Sequence, residues 1–343
     1  MTLARVTLLI LLFPLVLCSQ NHTEFTLPDV SIQPDDEDID VLCRPGIANK
    51  SRSRGLEISY TYLRGGEMET AEGQITPPLS ELQSLEALTF KVKIPVVIKD
   101  ELKVLLGYSY MPETYRFSTI GSSYSDVFNR IDSYRLRSST LALYATKPIN
   151  EKYFAGIRMS TSFNGDYDKL VNTDSRYRAF NVTGLLGIKE SDDLEWGLGL
   201  HYSKDFRRTR ILPVLSYNRN FNEKWGLETV FPVVINGRYN INPSNILLFG
   251  TDFNSQSYAI DVDQGFETPT HFHLNHAELR LMLRLEKQLT SWVWLNLEGG
   301  YQYNFNTRLV DKTLDKSNFK VDFENNVYFN IGVFLSPPDK LMR

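Results

Sequence analysis

The chain has 343 residues, with 37 Lys and Arg against 41 Asp and Glu, a net charge of −4. A near-neutral balance with both signs mixed along the chain argues against a nucleic-acid partner. Two cysteines exclude a disulfide framework, whereas 12% aromatics, with 18 Tyr and 20 Phe, suit strands and membrane-interface girdles.

Residues 1–19 carry one charge, Arg5, ahead of a run from Val6 to Leu17 that is apolar apart from Thr7. A membrane-spanning helix needs about 20 apolar residues, so this shorter run reads as a cleaved signal peptide. Cys18 ends the run, which leaves a lipid-anchored form open beside cleavage after Cys18 or Ser19. Residues 20–53 are acidic, contain Pro and have no period, which predicts a flexible periplasmic leader in which Cys43 is an inert thiol. No later stretch has the length and apolarity of a transmembrane helix.

From 54 to 336 the texture is period two, and no segment has an amphipathic helical period. In EALTFKVKIPVVI, Leu88, Phe90, Val92, Ile94, Val96 and Ile98 share one face, opposite Ala87, Thr89, Lys91 and Lys93. After a short turn, Leu102, Val104, Leu106, Tyr108 and Tyr110 oppose Lys103, Gly107 and Ser109. LEWGLGLHYS sets Leu194, Trp196, Leu198, Leu200 and Tyr202 against Glu195, His201 and Ser203. WVWLNLEGGYQYNF and the closing Val327, Phe329, Ile331, Val333 and Leu335 repeat the logic. The stretches 135–146, 208–219 and 245–261 alternate poorly.

Alternation alone also fits a soluble sandwich. The apolar faces, however, match the roughly 9–11 residues a tilted membrane strand needs, and aromatics such as Tyr108, Tyr110, Tyr202, Trp292 and Trp294 sit at strand ends where girdles lie. The connections also alternate. Short turns at 99–100, 148–150, 190–193, 220–223 and 288–291 separate long links at 64–85, 111–133, 163–177, 262–271 and 306–325. The prediction is an all-β fold, one transmembrane antiparallel up-and-down β-barrel over 54–336, with a tail at 337–343. Taking KWGLETVFPVVINGRYNI as one strand gives an odd count; splitting it near Asn236-Gly237, a strong hairpin dipeptide, gives 14 strands, with 12 as the alternative.

The FKVKIPVVIKDELKVLLGYSY hairpin, KWGLETVFPVVINGRYNI and the closing NVYFNIGVFLS resemble the uncharacterised Gram-negative outer-membrane β-barrel proteins grouped as a domain of unknown function. The resemblance implies a Gram-negative outer-membrane location, with membrane lipid and the barrel insertion machinery as partners, and transfers no catalytic residue. The final SPPDKLMR departs from barrels that end on an aromatic.

Three clusters are candidates for chemistry. His201 and Ser203, with Asn218 or Asn220, have the spacing of an outer-membrane phospholipase pair, but such a pair must face lipid and here it shares the inner face. His271 and His273, with Asp261 or Asp263, could approach a metal, but the simpler reading is two polar residues at the outer rim. The inner face collects Lys91, Lys93, Lys103, Arg158, Glu195, Glu228, His276, Glu278, Arg280, Arg284 and Glu298. This mixture lacks the single-sign ring of a charge-selective pore. The expectation is a non-enzymatic barrel with no cofactor or metal, serving as a passive conduit or binding channel for a small solute. A structural or partner-docking barrel is the alternative.

Overall fold

The computed structural model describes residues 43, 45–71, 80–121, 125–170, 174–206, 209–262, 270–305, 307–311 and 318–337. The expected signal peptide and most of the leader and C-terminal tail lie outside them. The elements in chain order are β1 (Leu56–Arg64), β2 (Glu67–Ala71), β3 (Ser80–Lys99), β4 (Leu102–Thr119), α1 (Ser125–Ser133), β5 (Leu136–Pro148), β6 (Tyr153–Gly165), β7 (Arg178–Ser191), β8 (Leu194–Lys204), β9 (Thr209–Asn220), β10 (Trp225–Phe231), β11 (Val234–Asn242), β12 (Asn245–Val262), β13 (Thr270–Gln288), β14 (Val293–Asn304), β15 (Arg308–Asp311), β16 (Asn318–Phe323) and β17 (Asn326–Leu335).

Fourteen of these strands close a ring. Consecutive strands from β3 to β14 pair antiparallel, β14 pairs with β17, β17 with β1, and β1 with β3. The other three, β2, β15 and β16, bridge the outer ends of β13 and β3, extending the wall above β14, β17 and β1. A closed ring leaves no open sheet edge, the condition for a β-structure to cross lipid. The polarity is inverted to match. Leu186, Leu198, Leu200 and Phe329 are about 60% exposed on the outside, whereas Ser162, Asn164 and Arg238 are fully buried inside. Tyr60, Tyr62, Tyr301 and Tyr303 lie outward toward the long-loop end, and Tyr153, Trp225 and Trp292 toward the short-turn end, the two interfacial positions of a membrane barrel.

The strand count is fourteen, but the hairpin that produces it lies elsewhere than expected. The chain turns at Pro232–Val233, between β10 and β11. Pro232 has no N–H to donate to a ladder, which favours the break there. Asn236 and Gly237 lie inside β11, opposite Gly250 and Phe249. Gly237 has a different place: the exposed Phe249 ring lies over it, 2.4 Å from where a Cβ would stand.

Trp294 is also displaced from its expected girdle place. It is inward-facing and fully buried with Ile246, Leu248 and Phe334, because Trp292 and Trp294 straddle the start of β14 and the strand's parity puts Trp294 inside. Both faces of β12 are buried from Ser255 to Ile260, where α1 and the end of β6 pack against it. That double burial hides the alternation.

Helix α1 contradicts the expectation of no amphipathic helix. Its Val127, Phe128 and Ile131 are buried in a cluster with Leu136, Ile260 and Leu274. The helix has nine residues, too few to stand alone. Burial of each apolar side chain supplies about 1.5–3 kcal/mol, so tertiary packing holds it.

Candidate functional site

The site is the barrel interior, which is filled at three levels. At the short-turn end, the stretch before β1 forms a strap that follows the inside of the rim from the β5–β6 turn round to β1. Its backbone bonds turn after turn: the Cys43 N–H donates to the Asn150 carbonyl at 2.9 Å and the Ala48 N–H to that of Asp192 at 2.7 Å. Asn220 donates to the Ala48 carbonyl at 2.7 Å and Asn240 to that of Asn49 at 3.0 Å. The Gly46 N–H donates to Glu195, and at φ 117° this position suits glycine. Ser51 donates its N–H to Glu228 at 2.8 Å, and Arg238 approaches the same carboxylate at 2.7 Å.

Arg54 completes the strap. Its guanidinium lies 2.9 Å from Glu57 and 2.6 Å from Glu286 and sits 4.6 Å above the Phe334 ring, while Arg52 lies 5.0 Å from the Trp294 ring. The expected leader is therefore, from residue 45 on, packed into the barrel. Its partners Glu57, Glu195, Glu228 and Glu286 are all buried. A carboxylate left unpaired in such surroundings costs several kcal/mol, so wall and strap depend on each other.

Higher up, β13 and β14 carry a polar ladder. His276 contacts Glu278 at 2.7 Å and Thr307 at 2.8 Å. Glu278 is also reached by Arg280 at 2.8 Å and Asn254 at 3.0 Å. Arg284 lies 2.6 Å from Glu298, which accepts the Tyr328 hydroxyl at 2.7 Å. The inward stripe on β13 thus places positive and negative groups in contact. Lys91, Lys93, Lys103 and Arg158 line the opposite wall, on β3, β4 and β6, with Lys93 and Arg158 each 5.5 Å from the Tyr144 ring. A cavity of about 30 Å³, room for water, lies against Lys91, Lys93 and Arg158, and another of about 30 Å³ lies beside Glu113, His276 and Glu278.

At the long-loop end two walls touch. Gly165 at the end of β6 pairs with Ala259 of β12, and a Cβ on Gly165 would lie 2.3 Å from the Ala259 carbonyl. Polar groups surround this crossing: Arg130 of α1 lies 2.7 Å from Asp166, and Asp261 is 2.7 Å from Arg176, 3.1 Å from Tyr177 and 2.5 Å from His271. Burial pushes the Asp166 carboxyl above its usual range against the pull of Arg130.

The remaining sequence candidates separate. His201 and Ser203 lie on the inner face of β8, with His201 Nδ1 2.7 Å from the Thr183 hydroxyl, away from the lipid that a phospholipase pair would require. His273 is buried and stacked on Phe206 at 4.6 Å, whereas His271 sits beside Asp261. Among the described residues no group of three His, Cys, Asp or Glu is placed to hold a metal ion; Asp263 lies outside them. Sequence reasoning missed Arg52, Arg54, Glu57 and Glu286. The two arginines just ahead of β1 and the inward parity of Glu286 on β13 were the available signals.

No curated protein matches this sequence. Among solved structures, an outer membrane channel from Pseudomonas putida F1 is similar, with 11% identity over 88% of this chain and 100% of its own and a TM-score of 0.40. A Pseudomonas aeruginosa FadL homologue is similar at 10% identity over 82% and 90%, TM-score 0.39, as is the P. putida toluene transporter TodX at 8% over 83% and 90%, TM-score 0.34. The model of a domain of unknown function, DUF6268, matches residues 116–335, from the outer part of β4 to the end of β17, and the chain belongs to that family.

Proposed function

We propose that the protein sits in the outer membrane of a Gram-negative bacterium, delivered there by the barrel insertion machinery, and acts as a normally closed conduit for a small solute. The observation that carries this reading is the strap. A chain segment separate from the wall runs along the inside of the short-turn mouth, held there by hydrogen bonds and ion pairs. Fourteen strands enclose more width than an eight-stranded barrel, whose side chains alone fill its interior. The mixed charges of the ladder favour a polar or zwitterionic solute over a simple ion. Swelling of liposomes carrying a strap-weakened variant, Arg52→Ala with Arg54→Ala, beside the native chain, tested with sugars and amino acids of graded size, examines this directly. Entry of one size or charge class supports the conduit.

A non-transporting barrel that serves envelope structure or docks a partner is the second reading, favoured by the wall-to-wall contact at Gly165 and Ala259. No entry of any solute, in the strap-weakened variant as well as the native chain, would select it.

A further inference from the structure

We propose that the inner face of β6, β7 and β8 forms a binding site for a small uncharged polyol or sugar, centred on Ser160, Asn181 and Ser203 with His201 beside them. The strands align these residues: Ser160 stands opposite Asn181, and Asn181 opposite Ser203. With neighbouring strands about 4.8 Å apart, the row is roughly 10 Å long. All three residues are more than nine-tenths buried. Yet the Ser160 and Ser203 hydroxyls, the Asn181 amide nitrogen and His201 Nε2 have no hydrogen-bond partner among the described residues. The His201 ring is held by its other nitrogen, Nδ1, which lies 2.7 Å from the Thr183 hydroxyl.

A buried donor or acceptor without a partner is costly, and protein interiors pair nearly all of them. Other parts of the lumen follow that rule. On the next rungs toward the long-loop end, Thr140 meets Ser162 and Ser138 meets Asn164, each at 2.8 Å. In the ladder, Arg280 and Arg284 contact Glu278 and Glu298. The row on β6 to β8 instead offers hydrogen bonds that the chain itself does not use. It also adjoins space. Ala142, opposite Ser160 on β5, and Arg158, the preceding inward residue on β6, both line the cavity of about 30 Å³ that has room for water. A solute hydroxyl can take the place of such a water and keep its hydrogen bonds.

The chemistry of the row sets the class of solute. Hydroxyl, amide and imidazole groups together call for both donors and acceptors, and a ligand hydroxyl is both. No carboxylate stands in the row or in the adjoining rung of Arg158, Thr183 and His201, so a cation finds no counter-charge there. The role of this site in choosing a solute rests on the conduit reading, whereas binding itself requires no flux.

The test is therefore a binding measurement. The full chain, folded in lipid nanodiscs, is titrated with glycerol, xylitol and glucose, and with gluconate and glycine as charged counterparts, and binding is read by saturation-transfer NMR. At least one neutral polyol is expected to bind at least tenfold more tightly than either charged solute, and at least tenfold more weakly to the Asn181→Leu, Ser203→Ala double variant. Heat-modifiable gel migration checks folding; should the double variant not fold, Ser160→Ala with Ser203→Ala is held to the same criterion. No binding of any neutral polyol to the folded native chain, equal or tighter binding of gluconate or glycine, or affinity unchanged in a folded variant would each overturn the proposal. A barrel that binds a polyol but passes none in liposomes would contradict the conduit and leave the site standing.

Discussion

The Arg54 guanidinium lies 2.6 Å from the Glu286 carboxylate, 232 residues further along the chain, and joins the strap to the barrel wall at β13. Glu286 is almost wholly buried and is paired there with Arg54. Arg54→Ala is expected to cost about 3–5 kcal/mol, the cost of breaking a buried pair from one side. Glu286→Gln in the same chain should recover part of it. The midpoint of heat-modifiable gel migration measures both, and a single variant as stable as the native chain would show that the pair is not coupled.

The two tryptophans at the start of β14 make a paired test of which face is which. Trp294→Ala removes a buried ring that packs with Phe334 and lies under Arg52, and should cost about 3–5 kcal/mol. Trp292 faces outward and is 46% exposed, so Trp292→Ala should cost much less in the same assay. Equal losses would contradict the inward placement of Trp294.

Much of the barrel can be read from the chain because one face of each strand meets lipid and the other does not. Where that contrast holds, as in Leu194–Lys204 or Asn326–Leu335, period two gives strand, face and interior residues together. It fails where both faces are covered. The outer half of β12, the nine-residue α1 and the inward turn of β6 pack against one another, and their pattern reports a protein core. The strap is illegible for another reason. Residues 45–54 have no period because they form no regular element, and apart from neighbouring Glu57 on β1 they are ordered by partners on β8, β10, β13 and the turns, all distant in sequence. Asn236-Gly237 misled because a glycine under an aromatic ring and a glycine in a turn look alike in sequence.

Gly165→Val is expected to part β6 from β12. Its Cβ would meet both the Ala259 carbonyl and the Tyr177 ring at 2.3 Å, and neither can yield cheaply. Overpacking of this kind costs about 1–3 kcal/mol. Faster protease cleavage in the link between β6 and β7 of membrane-inserted protein is the expected readout; unchanged cleavage would mean that the two walls are not held together there.

The same crossing predicts a pH effect. Burial raises the Asp166 carboxyl above its unfolded value, with Arg130 opposing. A raised folded value means that its contribution is fully present below the ordinary Asp value of about 4 and is lost as pH rises through the higher folded value. The stability of Asp166→Asn relative to the native chain should therefore improve as pH rises from acid to neutral. A difference that does not change with pH would show that the carboxyl is not perturbed.

The claim that the strap closes the conduit is tested most directly by single-channel recording in planar bilayers, comparing the native chain with the Arg52→Ala, Arg54→Ala double variant. The native barrel is expected to stay closed with rare openings, and the double variant, still heat-modifiable, to show at least a tenfold rise in open time. A folded variant as silent as the native chain, or a native chain that is freely open, would contradict the account.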